Sequence, residues 1–131
     1  MALSLKDITL AAERDVTRID IGEAQRLLET GEAVPIDVRE EAEFKTLPRL
    51  SGAVSIPRSH LEFKCDLASP NFEPALDSGK TLLVYCRSGG RALLAAKTMT
   101  DMGVTNVRLL GGIQDWMAKG GDCLLYTSDA A

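Results

Sequence analysis

Apolar positions recur along the chain in two rhythms. Leu5, Ile8 and Ala12 fall three to four residues apart, the spacing of one helical face, and Ser4 stands where a cap belongs. A second helix opens at Asp20-Ile21-Gly22-Glu23, an acceptor followed three residues later by a carboxylate. It carries Leu27 and Leu28 and is expected to stop at Gly31. The run Ala33-Val34-Pro35-Ile36-Asp37-Val38 then reads as a strand, with Pro35 placing it at a sheet edge or at the strand's start. Arg39 to Phe44 has helix-forming composition, and Ala53-Val54-Ser55-Ile56 reads as a second short strand closed by Pro57.

The second half is more regular. Ser69-Pro70 resembles an N-cap followed by proline at the first helical position, opening a segment through Leu76, and Asp77-Ser78-Gly79 is a turn. Thr81-Leu82-Leu83-Val84-Tyr85 is apolar on both faces, as a central parallel strand is. Arg91 to Met102 is the clearest helix, with Ala92, Ala95, Ala96 and Met99 on one face and Gly103 at its end. Val107-Arg108-Leu109-Leu110 reads as a strand, Gly111-Gly112 as a turn, and Ile113 to Lys119 as a last short helix whose Trp116 belongs to the core. Strands alternating with helices predict an α/β fold, a mostly parallel central sheet with helices on both faces.

Composition narrows the function classes. The 131 residues fit one domain. Residues 1–16 are expected to form a helical extension, 17–121 the domain, and 122–131 a tail that is either a docked extension or an assembly scar. The net charge of −4 disfavours nucleic acid as a partner, since phosphate backbones are bound by basic surfaces. No stretch approaches the roughly 18 apolar residues of a membrane span. Lys6 and Asp7 put charge where a signal peptide carries its apolar run, so a cytoplasmic protein is expected. Three cysteines, Cys65, Cys86 and Cys123, and a single histidine, His60, are too dispersed for a disulfide framework or a metal centre, and no cofactor is expected.

One cysteine stands apart. Cys86 ends the central strand, where α/β sheets place their ligand sites. Arg87-Ser88-Gly89-Gly90-Arg91 follows it. Two glycines let backbone N–H groups turn inward, and the next helix aims its positive dipole end at the same point. Arg87 and Arg91 add formal charge. Such surroundings favour a thiolate and lower a cysteine pKa from about 8.5 toward roughly 3.5–7.5. A nucleophilic thiol facing an anionic substrate is therefore expected. The alternative, a buried small hydrophobe, is the usual fate of a free cysteine but is not usually followed by Arg-Ser-Gly-Gly-Arg.

The segment Cys86-Arg87-Ser88-Gly89-Gly90-Arg91 resembles the active-site loop of the rhodanese (thiosulfate sulfurtransferase) domain. Ile36-Asp37-Val38-Arg39, Glu43-Phe44, Gly52-Ala53 and Ile56-Pro57 resemble that family's N-terminal signature, and Leu109-Leu110-Gly111-Gly112 with Trp116 its C-terminal one. Together they cover about residues 17 to 120. The resemblance implies a rhodanese-like fold and a Cys86 that takes a sulfur atom from a small anionic donor, holds it as a persulfide, and passes it to a thiol or cyanide acceptor, a protein thiol included. It implies that Arg91 and Arg87 bind the donor's oxyanion, with Ser88, Gly89 and Gly90 lining the site. The chain departs from the family at Leu47-Pro48-Arg49-Leu50-Ser51, where a Gly-His-Ile stretch is usual, and at Ala92, where serine is common.

Beside the loop stand weaker candidates. Asp37, Arg39 and Arg58 are placed to approach the pocket; structural pairing, or plain surface charge for Arg58, is the competing role. Arg39 and Glu43, four residues apart, are expected to pair. Glu40 to Glu43 otherwise reads as a solvated acidic face, His60 as a surface histidine, and Cys65 and Cys123 as bystanders. Two other functions share this pattern: a sulfur-carrier or binding module acting with a partner protein, and a phosphatase or arsenate reductase of the related fold.

Overall fold

The computed structural model describes residues 2–119 and the strand Leu125–Tyr126. Four strands form one parallel sheet: β1 (Ala33–Asp37), β3 (Val54–Ser55), β4 (Thr81–Cys86) and β5 (Val107–Gly112), in the order β3-β1-β4-β5. A separate antiparallel pair joins β2 (Arg49–Leu50) to β6 (Leu125–Tyr126). The rest of the expected tail, Cys123 included, lies outside the described residues. No helix among the described residues is long and apolar enough to cross a membrane.

Side-chain alternation sorts the core into two layers. Ile36, Val38, Leu82, Val84, Cys86 and Leu109 face α1 (Leu5–Asp15), α3 (Leu61–Cys65) and α4 (Gly90–Asp101). Leu83 and Tyr85 face α2 (Ile21–Glu29) and α5 (Ile113–Ala118), where Trp116 is fully buried. The expected small-residue face of α4 is the buried one: Ala92, Ala95, Ala96 and Met99 are all without exposure. Small side chains let this helix lie close to β4 and β5.

The caps follow local chemistry. The Ser4 hydroxyl accepts from the Asp7 N–H and the Asp7 carboxylate from the Ser4 N–H, both at 3.0 Å. At α2 only half of the expected box forms. Asp20 accepts from the Glu23 N–H at 2.7 Å, while the Glu23 carboxylate turns to Arg26, one helical turn on. Ser69-Pro70 opens no helix; it forms a turn, and the short 3-10 segment Pro74–Asp77 begins later, capped by Glu73.

Two strand expectations are corrected. β1 is an interior strand, despite Pro35. The Val38 N–H reaches the Tyr85 carbonyl on β4, so by alternation the Pro35 nitrogen faces the β3 side. β3 pairs only with Ile36 and Asp37, and the missing donor therefore falls where β1 has no partner on that side. Gly111 and Gly112 do not turn. They continue β5 and pair with Tyr85 and Cys86 after a register shift at Val84/Tyr85.

Candidate active site

The four parallel strands end together at Asp37, Ser55, Cys86 and Gly112, and the cysteine loop rises from this end of the sheet. Cys86 is only 1% exposed. Its Sγ accepts from the Gly89 N–H at 3.0 Å and from the Ala92 N–H at 3.4 Å. Gly89 adopts φ +112, a left-handed conformation that disfavours any side chain and bends the loop back over the sulfur. α4 starts at the next residue, and the Ala92 N–H, one of those its first turn leaves free, is the one that reaches the same atom. Ala92 takes part through its backbone, so the hydroxyl of the usual serine is not needed for that contact.

The arginines divide. Arg87 is exposed and makes no ion pair among the described residues. Arg91 gives both terminal nitrogens to Glu43, at 2.6 and 2.7 Å. That corrects two expectations: Glu43 pairs with Arg91, not with Arg39, and it belongs to the loop's surroundings, not to a solvated acidic face. Glu40 and Glu41 are exposed. Hydrogen bonds from Arg91 hold the Glu43 carboxyl down at about 2, and Glu43 in turn raises the Arg91 pKa. Cys86 adds to that rise, so sulfur and guanidinium lie within electrostatic range.

Asp37 and Arg39 take the structural role, on the sheet face opposite the Cys86 side chain. Both are fully buried. Arg39 Nε lies 3.0 Å from Asp37 Oδ1 and its NH2 group 2.8 Å from Oδ2. Its remaining donors reach the Leu47 and Pro48 carbonyls, at 3.1 and 3.3 Å. The Tyr85 hydroxyl donates to Asp37 at 2.9 Å and accepts from the Leu50 N–H at 3.1 Å. Desolvation, then the Asp37 charge, raise the Tyr85 pKa strongly, so the phenol stays a donor. The segment that departs from the family pattern, 47–51, is thus pinned from below by a buried polar cluster.

Arg58 is occupied by Glu62, one helical turn on, at 3.1 Å. His60 is exposed and Ser88 presents its side chain to solvent. Cys65 is a free thiol, buried, and pushed up to about 11 by desolvation. It is a poor nucleophile at neutral pH. Beside Ser88, Gly89 and Gly90 lies a cavity of about 280 Å³, walled by Gly111, Gly112 and Asp115 and rimmed by the Glu13–Arg18 pair.

Sequence reasoning missed Glu43. Its signal was the Glu43-Phe44 pair within the N-terminal signature, 48 residues away from Arg91. The pair predicts an acid limb. The Glu43 carboxyl, ordinarily at 4.5, is held down at about 2 in the fold by its hydrogen bonds from Arg91. Its stabilisation is complete above about 4.5 and is lost as pH falls toward 2. Glu43→Gln is expected to lower the melting temperature by a few degrees at pH 7, with the gap to the parent chain closing between pH 4.5 and 2 in a series of melts. A pH-independent gap would show that the pair contributes nothing electrostatic.

A parallel α/β sheet thus carries a thiol held among backbone N–H groups at the end of its interior strand β4, where such sheets place their ligand sites. The chain belongs to the rhodanese-like domain family, whose model matches residues 20–119. It is 36% identical to the thiosulfate:glutathione sulfurtransferase of Saccharomyces cerevisiae, over 70% of this chain and 69% of that one. Among solved structures, the human single-domain sulfurtransferase TSTD1 superposes with a TM-score of 0.65 at 28% identity, covering 79% of this chain and 97% of that one. A protein of unknown function from Rhodopseudomonas palustris, described as a possible tyrosine phosphatase, superposes with a TM-score of 0.83 at 30% identity, covering 92% and 93%.

Proposed function

We propose that the protein is a rhodanese-type sulfurtransferase that carries sulfur on Cys86. The observation that supports this most is the pair of backbone N–H groups, from Gly89 and Ala92, aimed at one sulfur atom. Donors fixed in this way stabilise a thiolate before reaction and a persulfide anion after it. The kinship with enzymes named sulfurtransferases points the same way.

In the first half-reaction the Cys86 thiolate attacks the outer sulfur of thiosulfate. The donor's S–S bond breaks, sulfite leaves with the electron pair, and Cys86 holds a persulfide anion. In the second, an acceptor thiolate attacks the outer sulfur, takes it as its own persulfide, and returns Cys86 as thiolate; cyanide leaves instead as thiocyanate. Two displacements on one residue give ping-pong kinetics. Arg87, without an ion pair among the described residues, binds the donor's oxygens together with the Ser88 hydroxyl and the Gly90 N–H group, while the Gly89 N–H stays on the sulfur. Arg91 adds its charge while Glu43 fixes its position. The free thiols of Cys65 and Cys86 suit a reducing cytoplasm. Mixing with thiosulfate and measuring intact mass tests this. A gain of one sulfur atom, lost again on adding cyanide or a thiol, is expected; no gain sinks the proposal.

The resemblance to a possible phosphatase favours a second reading. Four residues separate Cys86 from Arg91, Arg87 to Gly90. Phosphatases of the related fold hold five between cysteine and arginine, which would put their arginine at Ala92. A shorter ring of N–H groups encloses one sulfur atom but is too tight for three equatorial phosphoryl oxygens. Thiosulfate turnover and aryl phosphate turnover are to be assayed on one preparation, with Cys86→Ser as blank. Phosphatase activity at blank level is expected; activity matching sulfur transfer would put the second reading first.

A further inference from the structure

We infer that Gly112 is a positioning residue for the Cys86 loop: the loop closes over its sulfur because position 112 carries no side chain. This deepens the sulfurtransferase reading and rests on it. Gly112 sits in extended backbone, φ −113 and ψ 139, which any residue adopts. Glycine is therefore not required there by conformation. It is required by space. A Cβ at this position would come within 2.8 Å of the Arg87 carbonyl oxygen, 2.8 Å of the Ser88 carbonyl carbon and 2.9 Å of the Ser88 Cα. All three are backbone atoms, so no side-chain rotation relieves the overlap.

The strand cannot be the part that yields. Gly112 is buried, pairs with Cys86 across the β4–β5 ladder, and leads straight into the buried Ile113 of α5. Arg87 and Ser88 are exposed, with solvent on their far side. The loop would lift. Gly89 lies directly over Gly111 and Gly112 and would rise with Ser88, drawing its N–H away from Sγ, 3.0 Å beneath it. The Gln114 N–H, which holds the Arg87 carbonyl at 3.2 Å, would be strained in the same movement. Gly112 touches neither donor nor acceptor in this scheme. It sets where the N–H groups point.

The test is Gly112→Ala, with Leu76→Ala as a control for lost stability. Leu76 is a core side chain in the turn leading into the opposite end of β4. Two quantities are read on each folded protein: the pH midpoint of Cys86 alkylation by iodoacetamide, and kcat and KM for thiosulfate. Gly112→Ala is expected to raise the alkylation midpoint and to lower kcat by about 100-fold, the cost of losing one preorganised donor, with KM within about threefold. Leu76→Ala is expected to melt earlier with both readouts unchanged. An unchanged midpoint with kcat within about threefold overturns the inference, as does a rise in KM alone. If Gly112→Ala does not fold unaided, the same readouts are taken in about 1 M trimethylamine N-oxide, which favours the compact state, and the same criteria apply. Alkylation needs no sulfur donor. A parent chain that forms no persulfide would sink the sulfurtransferase reading while the midpoint still decides the role of Gly112.

Discussion

Replacing Cys86 by serine is expected to bring sulfur transfer to the background level, a loss on the order of 10⁴-fold or more, while the melting temperature moves by only a few degrees. The two effects separate for a physical reason. Serine is slightly smaller than cysteine, so it leaves no cavity of consequence. The site is buried, but the Gly89 and Ala92 N–H groups that now face Sγ remain as donors for a serine oxygen, so the new hydroxyl is not orphaned. What disappears is the polarisable sulfur nucleophile on which both proposed displacements turn. Thiosulfate:cyanide turnover and a thermal melt on the same sample decide the matter. Retention of a tenth of the activity would remove Cys86 from the mechanism. Cys65→Ala is the companion measurement, and full turnover is expected from it.

The largest stability effect is expected on the neighbouring strand β1 and one face away. Asp37→Ala leaves the Arg39 guanidinium buried without its carboxylate and takes an acceptor from Tyr85. Breaking a buried ion pair from one side costs about 3–5 kcal/mol. For a domain of this size that is on the order of 10–20 °C in melting temperature. A double replacement, Asp37→Leu with Arg39→Met, removes both charges and is expected to recover a large part of the loss, because no uncompensated ion remains. Sulfur transfer by the fraction still folded is expected to persist, since this cluster lies on the other side of the sheet from Sγ. A cost below 1 kcal/mol for Asp37→Ala would show that the cluster does not hold the fold.

What could be read from the sequence was local. Thr81 to Tyr85 is apolar at consecutive positions, which marks a strand buried on both sides, and β4 is that strand. The alanine face of α4 and the caps at Ser4 and Asp20 need only neighbours within one helical turn. What could not be read depended on distant partners. Gly-Gly is a turn signal in isolation, and only the β4 ladder beside it explains why Gly111 and Gly112 stay extended into β5. Pro35 signals an edge unless one knows that β3 is two residues long and starts past it. Arg39 has one carboxylate within helical reach in sequence, Glu43, and another two residues back, Asp37. Its choice of Asp37 follows from burial, which Glu43 escapes by turning to Arg91. The candidate loop was visible because its chemistry is contiguous, six residues in a row; the groups that fix it in place from a distance come from two other segments of the chain, at Glu43 and at Gly111 to Gln114.

Tyr85 and Cys86 are neighbours on the strand most enclosed by the fold, and they point to opposite layers. Tyr85 ties that strand to Asp37 and to the Leu50 backbone on one side while the thiol sits among the α4 contacts on the other. The nucleophile is therefore anchored in the last part of the molecule to open. In native-state hydrogen exchange the amides of β4 are expected to exchange only through global unfolding, in one cooperative unit with the α4 helix. Donor, acceptor and alkylating agent would reach the sulfur past the cysteine loop while β4 stays closed, so the position of the nucleophile between catalytic cycles would be held by the free energy of the whole domain.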